Sequence, residues 1–167
     1  MHDALVQGDA SPESGEAVSA VLTDLESRLR LDMADFVSVE RGEFLDGKGT
    51  SLKLRPVNPH SVSVQWLTFG DEIVLQAGQL DRGGRWELER KLEDVEFIEA
   101  VVRAAMAGRI VETSALARSS VEVTLENGQV IRETGYEGCL SGLVLLPGWR
   151  RWGQVIHFEP YDSPSSR

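Results

Sequence analysis

Phe36-Val37-Ser38-Val39, Leu52-Lys53-Leu54, Val62-Ser63-Val64-Gln65-Trp66 and Ile73-Val74-Leu75 decide the fold. Apolar residues recur there at every second position or in short runs, the period at which a strand turns successive side chains to opposite faces. Between them lie Asp46-Gly47-Lys48-Gly49, Pro56 to Pro59, Phe69-Gly70-Asp71 and Asp81-Arg82-Gly83-Gly84. Glycine reaches positive φ cheaply and proline presets a bend, so these are turns. With Arg85-Trp86-Glu87-Leu88-Glu89 as one more strand, an antiparallel meander over Phe36–Glu89 is the economical topology.

On the amino-terminal side the period changes to that of a helix. Ser11 and Pro12 offer a start, and Val18, Val21, Leu22, Leu25 and Leu29 fall on one stripe. Asp24/Arg28 and Glu26/Arg30 are four residues apart and pair elsewhere on its surface. On the carboxyl-terminal side a second helix is expected over Leu92 to Ala107, with Leu92, Val95, Ile98, Val102, Ala105 and Met106 buried and Gly108 as its stop. Ile110-Val111, Val121 to Leu125 and Val130-Ile131 then resume strand alternation, and Asn127-Gly128 predicts a type I′ hairpin with positive φ at both centres. The apolar run Leu140–Leu146 and the segment Trp149–Phe158 predict a closing pair of strands.

The order helix, strands, helix, strands favours an α+β fold, an antiparallel sheet of hairpins packed by two amphipathic helices, over alternating parallel α/β. With 167 residues and a hydrophobic share of 41%, one core suffices. The expected organisation is a flexible segment over 1–12, a single domain over 13–159, and a polar tail over 160–167.

Charge narrows the function classes. The formal net charge is -10, and the first 50 residues hold 11 acidic against 4 basic residues. Such a surplus opposes phosphate backbones and anionic lipid and suits a basic protein partner. No 18-residue apolar stretch is present, so no membrane span is expected. The one cysteine, Cys139, excludes an intrachain disulfide and fits a reducing, cytoplasmic setting. Fourteen Arg against three Lys resembles the usage of a GC-rich bacterial genome.

The chemical motifs are weak. Gly47-Lys48-Gly49-Thr50 has the glycine, lysine and hydroxyl of a phosphate loop but not its strand-to-helix setting, so it is a hairpin turn. His2, His60 and His157 have no metal-ligand spacing, and neither a metal nor a cofactor is expected. Cys139 reads as a small core residue, and His157, alternating with Ile156 and Phe158, as an exposed strand residue. No catalytic residues are assigned, and a non-enzymatic role is expected.

Pro147-Gly148-Trp149-Arg150-Arg151-Trp152-Gly153 is the most distinctive stretch. Trp149, Arg150, Arg151 and Trp152 would meet at a turn tip, and tryptophan and arginine are the residues most enriched at binding hot spots. With Glu93, Asp94 and Glu96, they form the expected partner-binding set. The leading expectation is thus an acidic protein-binding module. Immunity proteins that neutralise a basic toxin are one class of this general character, though no motif here names them. The alternative is a small-molecule-binding domain or modest enzyme using a concave sheet face lined by Tyr136, Cys139, Arg150 and His157. The oligomeric state is not assigned by the sequence.

Overall fold

The computed structural model describes residues 12–79, 83–115, 118–136 and 153–163. Helix α1 (Pro12–Asp32) leads into β1 (Val37–Phe44), β2 (Gly49–Pro56), β3 (Val64–Phe69), β4 (Glu72–Ala77) and β5 (Gly84–Leu88). These five strands form an antiparallel meander in sequence order. Helix α2 (Leu92–Met106) follows, then β6 (Ile110–Ala115), β7 (Arg118–Thr124), β8 (Val130–Tyr136) and β9 (Gln154–His157). The second sheet has the order β8-β7-β6-β9. The class is α+β, and the expected antiparallel strands divide into two sheets. The closing strand β9 pairs with β6; its expected partner, Leu140–Leu146, lies outside the described residues.

Register explains where the core sits. Across the first sheet, Val39, Leu54, Val64 and Ala77 form one row, and Arg41, Leu52, Trp66, Leu75 and Trp86 the next. Both rows share a face, since residues two apart in a strand point the same way. The two helices lie on that face: Glu26 of α1 meets Arg41, and Phe97 of α2 meets Trp86. Val18, Leu22, Leu25, Leu29 and Met33 of α1 and Val95, Ile98, Val101, Val102, Ala104 and Ala105 of α2 complete the core. Two expected stripe residues are corrected. Val21 is 38% exposed and Leu92 is 49% exposed, because Val21 lies on the flank of its stripe and Leu92 is the first residue of α2, ahead of its packed turns.

The helices are tied together on their outer side by Arg28, whose Nη1 and Nη2 donate to the two carboxylate oxygens of Glu99 at 3.1 and 3.2 Å. Arg103 also donates to Glu99, at 3.0 Å from Nε. Asp24 and Arg28 form their expected pair, as do Glu26 and Arg30.

Sheet joins sheet through β5, which lies against β8 and β7. A Cβ on Gly84 would come within 3.1 Å of Val121 Cβ, and one on Gly78, at φ +116, within 2.7 Å of Glu112 Oε2. Only glycine permits that approach. Glu112 is fully buried, and its Oε2 accepts the Gln79 N–H at 2.8 Å, so a carboxylate on β6 pins the end of β4.

Turn chemistry corrects one expectation. Gly128 has φ +83, but Asn127 is not in the left-handed region, so the hairpin is not type I′. Gly128 N–H donates to Leu125 O at 3.0 Å and Leu125 N–H to Gln129 O at 2.8 Å. That pattern is a three-residue loop in which a type I turn is followed by a left-handed glycine. Asn127 instead accepts the Gln129 N–H on Oδ1 at 2.9 Å.

The packed chain runs beyond residue 159. Tyr161, expected in a polar tail, is 4% exposed. Its phenol donates to Val62 O at 2.8 Å and its N–H to Met106 O at 3.0 Å. Ser61 Oγ donates to Pro160 O at 3.0 Å. Burial pushes the phenol far above the ordinary tyrosine value, keeping it a neutral donor. Tyr161→Phe is expected to cost about 1–2 kcal/mol in chemical denaturation, the value of a buried hydrogen bond whose acceptor is left unpaired; an unchanged midpoint would show that the contact is not a latch.

A second prediction concerns acid. The Arg28 hydrogen bonds hold the Glu99 carboxyl below its ordinary value of 4.5. A depressed carboxyl stabilises the fold above the unfolded-state value, and that contribution is lost as the pH falls through the folded-state value. Glu99→Gln should therefore cost about 1 kcal/mol at neutral pH, and the difference from wild type should shrink below pH 4.5 in urea titrations run at a series of pH values.

Two candidate binding grooves

Where α1 crosses the first sheet, the apolar contact gives way to a polar groove of about 590 Å³. The α1 wall presents Ser19, Leu22, Thr23 and Glu26, one face of the helix by three- and four-residue spacing. Leu52 and Trp66, both buried, form the floor, and Arg41, Glu43, Thr50 and Thr68 extend it along the sheet.

Glu26 organises one end. Expected on the helix surface, it is 7% exposed, because Arg41 and Arg30 close over it. Arg41 grips it with Nε at 2.7 Å and also with Nη2, and Arg30 Nε donates at 3.0 Å. A buried carboxylate is tolerated only with such partners. The same bonds hold the Arg41 guanidinium above its ordinary value.

Arg90 organises the other end. Its φ is +58, a left-handed conformation that costs a side-chain-bearing residue about 1–2 kcal/mol. The cause is Asp94, whose Oδ2 accepts the N–H groups of both Glu89 and Lys91 at 3.1 Å. Drawing both flanking amides to one oxygen leaves the residue between them to make the reversal. The Arg90 guanidinium then joins two further elements: Nη2 donates to Ser19 Oγ at 2.6 Å, and Nη1 to the Gly70 carbonyl.

A second, more open groove of about 760 Å³ lies where β5, α2 and β8 meet. Trp86 and Phe97 stand edge to face, ring centroids 6.0 Å apart, and both remain half-buried. Around them stand Glu87, Asp94 and Glu133, with Arg85 at one side. Arg85 is paired with Glu87 at 3.4 Å.

Of the residues singled out from sequence, the structure brings Asp94 to this rim, and half of its role is to cap α2. Glu93 and Glu96 are exposed on the same first turns of α2 and form no ion pair among the described residues. His157 is exposed on β9, opposite in direction to Ile156, and pairs with Val111. Tyr136 ends β8 opposite Arg118. Trp149, Arg150, Arg151, Trp152 and Cys139 lie outside the described residues, so the proposed turn tip and the Cys139–His157 lining do too. Trp66 and Trp86 share the helix-covered face. Sequence reasoning missed Glu26, Arg41 and Arg90; the only available signal was parity, which turns Arg41 to the same face as Val37 and Val39.

Among the described residues no group of three His, Cys, Asp or Glu side chains is placed to hold a metal ion, and no helix is long and apolar enough to cross a membrane. Comparison with family models, curated proteins and solved structures gives no match.

Glu26→Gln removes the charge that two guanidiniums share. We expect a loss of about 2 kcal/mol, typical of hydrogen bonds to a charged group, together with greater exposure of the Arg41 end of the groove. A thermal melt within error of wild type would contradict this assignment.

Proposed function

We propose that the chain is a non-enzymatic, acidic protein-binding module that takes a basic partner at the Trp86–Phe97 groove. The observation that carries this reading is the pairing of a half-buried aromatic floor with a carboxylate rim. An arginine or lysine entering there finds the π face of an aromatic ring, worth about 0.5–2 kcal/mol depending on desolvation. Glu133 and the exposed Glu93 and Glu96 supply countercharge.

The wider charge balance supports the same partner. Most basic side chains of the described residues are already matched within the chain: Arg28 to Asp24 and Glu99, Arg30 and Arg41 to Glu26, Arg55 to Glu40, Lys91 to Glu89, Arg103 to Glu99, and Arg132 to Glu122. The surplus carboxylates are left to set the outer field, which speeds encounter with a cationic protein and repels nucleic acid. A toxin-neutralising role in a bacterial cytoplasm is one setting in which such a module acts, and a single cysteine suits that compartment.

The test uses the full chain as bait. Proteins retained from host lysate by wild type should be lost by Trp86→Ala and by the triple variant Glu93→Gln/Glu96→Gln/Glu133→Gln. The association rate of the retained partner should fall at least several-fold between low and high salt. An identical retained set for all three baits, or a salt-independent rate, would refute the proposal.

A further inference from the structure

The third cross-strand row on the helix-covered face of the first sheet reads Glu43, Thr50, Thr68, Ile73 and Leu88. By parity Thr50 and Thr68 follow Leu52 and Trp66, positions that face α1. Val at Thr68 would extend the core, as its cross-strand neighbour Ile73 does while fully buried. Instead Thr68, half-buried, and Thr50, exposed at the mouth of the groove, carry hydroxyls with no hydrogen-bond partner among the described residues. Across the gap, α1 presents Ser19 and Thr23, and Arg90 is held at the groove in a costly left-handed conformation. Hydroxyls and a guanidinium thus line the opening beside α1 above an apolar floor, the mixture of a few polar groups on apolar surface that suits a polar ligand.

We propose that the groove between α1 and the β1–β3 end of the first sheet binds a small polyhydroxylated oxyanion, a sugar acid or sugar phosphate. Its volume of about 590 Å³ falls within the range of small-molecule sites. Glu26 with Arg30 and Arg41 leaves one positive charge at that end; Arg90 adds a second, and each of its terminal nitrogens keeps a second N–H beyond the bonds to Ser19 and Gly70. The free hydroxyls match ligand hydroxyls, and the Leu22, Leu52 and Trp66 floor suits the C–H face of a sugar. Glu43, exposed at the rim, can accept from ligand hydroxyls, and it disfavours ligands bearing charge at that end. This site is separate from the Trp86–Phe97 groove, and neither proposal depends on the other.

Isothermal titration calorimetry on the full chain tests it with four probes: gluconate, glucose 6-phosphate, glucose and sulfate. Gluconate or glucose 6-phosphate should bind at least ten-fold more tightly than both glucose and sulfate, and which of the two binds better identifies the anionic group. Two variants follow. Arg90→Gly suits the positive φ and removes the guanidinium; Thr50→Val/Thr68→Val keeps the shape and removes two hydroxyls. Each should weaken binding at least ten-fold, while the valine variant melts at or above the wild-type temperature. The proposal is overturned if no probe binds at millimolar concentration, if glucose or sulfate binds equally well, or if binding survives in both variants.

Discussion

Two helices share one face of one sheet, and the side chains that a strand can turn toward them alternate by two. From that constraint the rest of the molecule follows. Where the inward row is Val39, Leu54, Val64 and Ala77, the helices close on an apolar layer. One row further, Leu52, Trp66 and Leu75 continue it, but Arg41 enters from the edge and must be matched by Glu26. In the next row the inward positions become threonine, and packing gives way to a groove. Core, ion-pair cluster and groove are thus successive rows of the same register.

The second sheet is not a separate body added to the first. Gly78 and Gly84 let the edge of the first sheet press on Val121, Glu112 reaches across to the Gln79 amide, and Tyr161, after β9, bridges the end of α2 at Met106 and Val62. The junction leaves β5 and β8 side by side with α2 above them. That is why Trp86, the last member of the Arg41–Trp86 row, stays half-covered and meets Phe97 in an acidic setting.

Much of this architecture was legible in the sequence. Hydrophobic period separated helices from strands, Gly108 stopped α2 where expected, and the short turns announced a meander. The limits are physical. Periodicity states which residues share a face but not what covers that face, so it overcounted Val21 and Leu92 and could not reveal that Glu26 would be buried. A dipeptide states a turn's propensity, whereas the register placed Glu126, Asn127 and Gly128 in a three-residue loop whose left-handed position is Gly128. The candidate grooves were the least legible, because Arg90 is poised by Asp94, Ser19 and Gly70, partners that come together only in three dimensions. The acidic run at the start of α2 was visible; that Asp94 serves the helix cap while Glu93 and Glu96 remain outward was not.

The central functional claim is that aromatic surface ringed by carboxylates at the β5–α2–β8 junction receives cationic side chains. Its most direct measurement is a two-dimensional NMR titration of the isotopically labelled chain with a short arginine-rich peptide, following backbone amides and indole N–H resonances. The account predicts that the largest shift changes cluster at Trp86, Leu88, Phe97 and Glu133 and fade as salt is raised. Changes scattered evenly over the acidic surface, or centred away from Trp86, would contradict it.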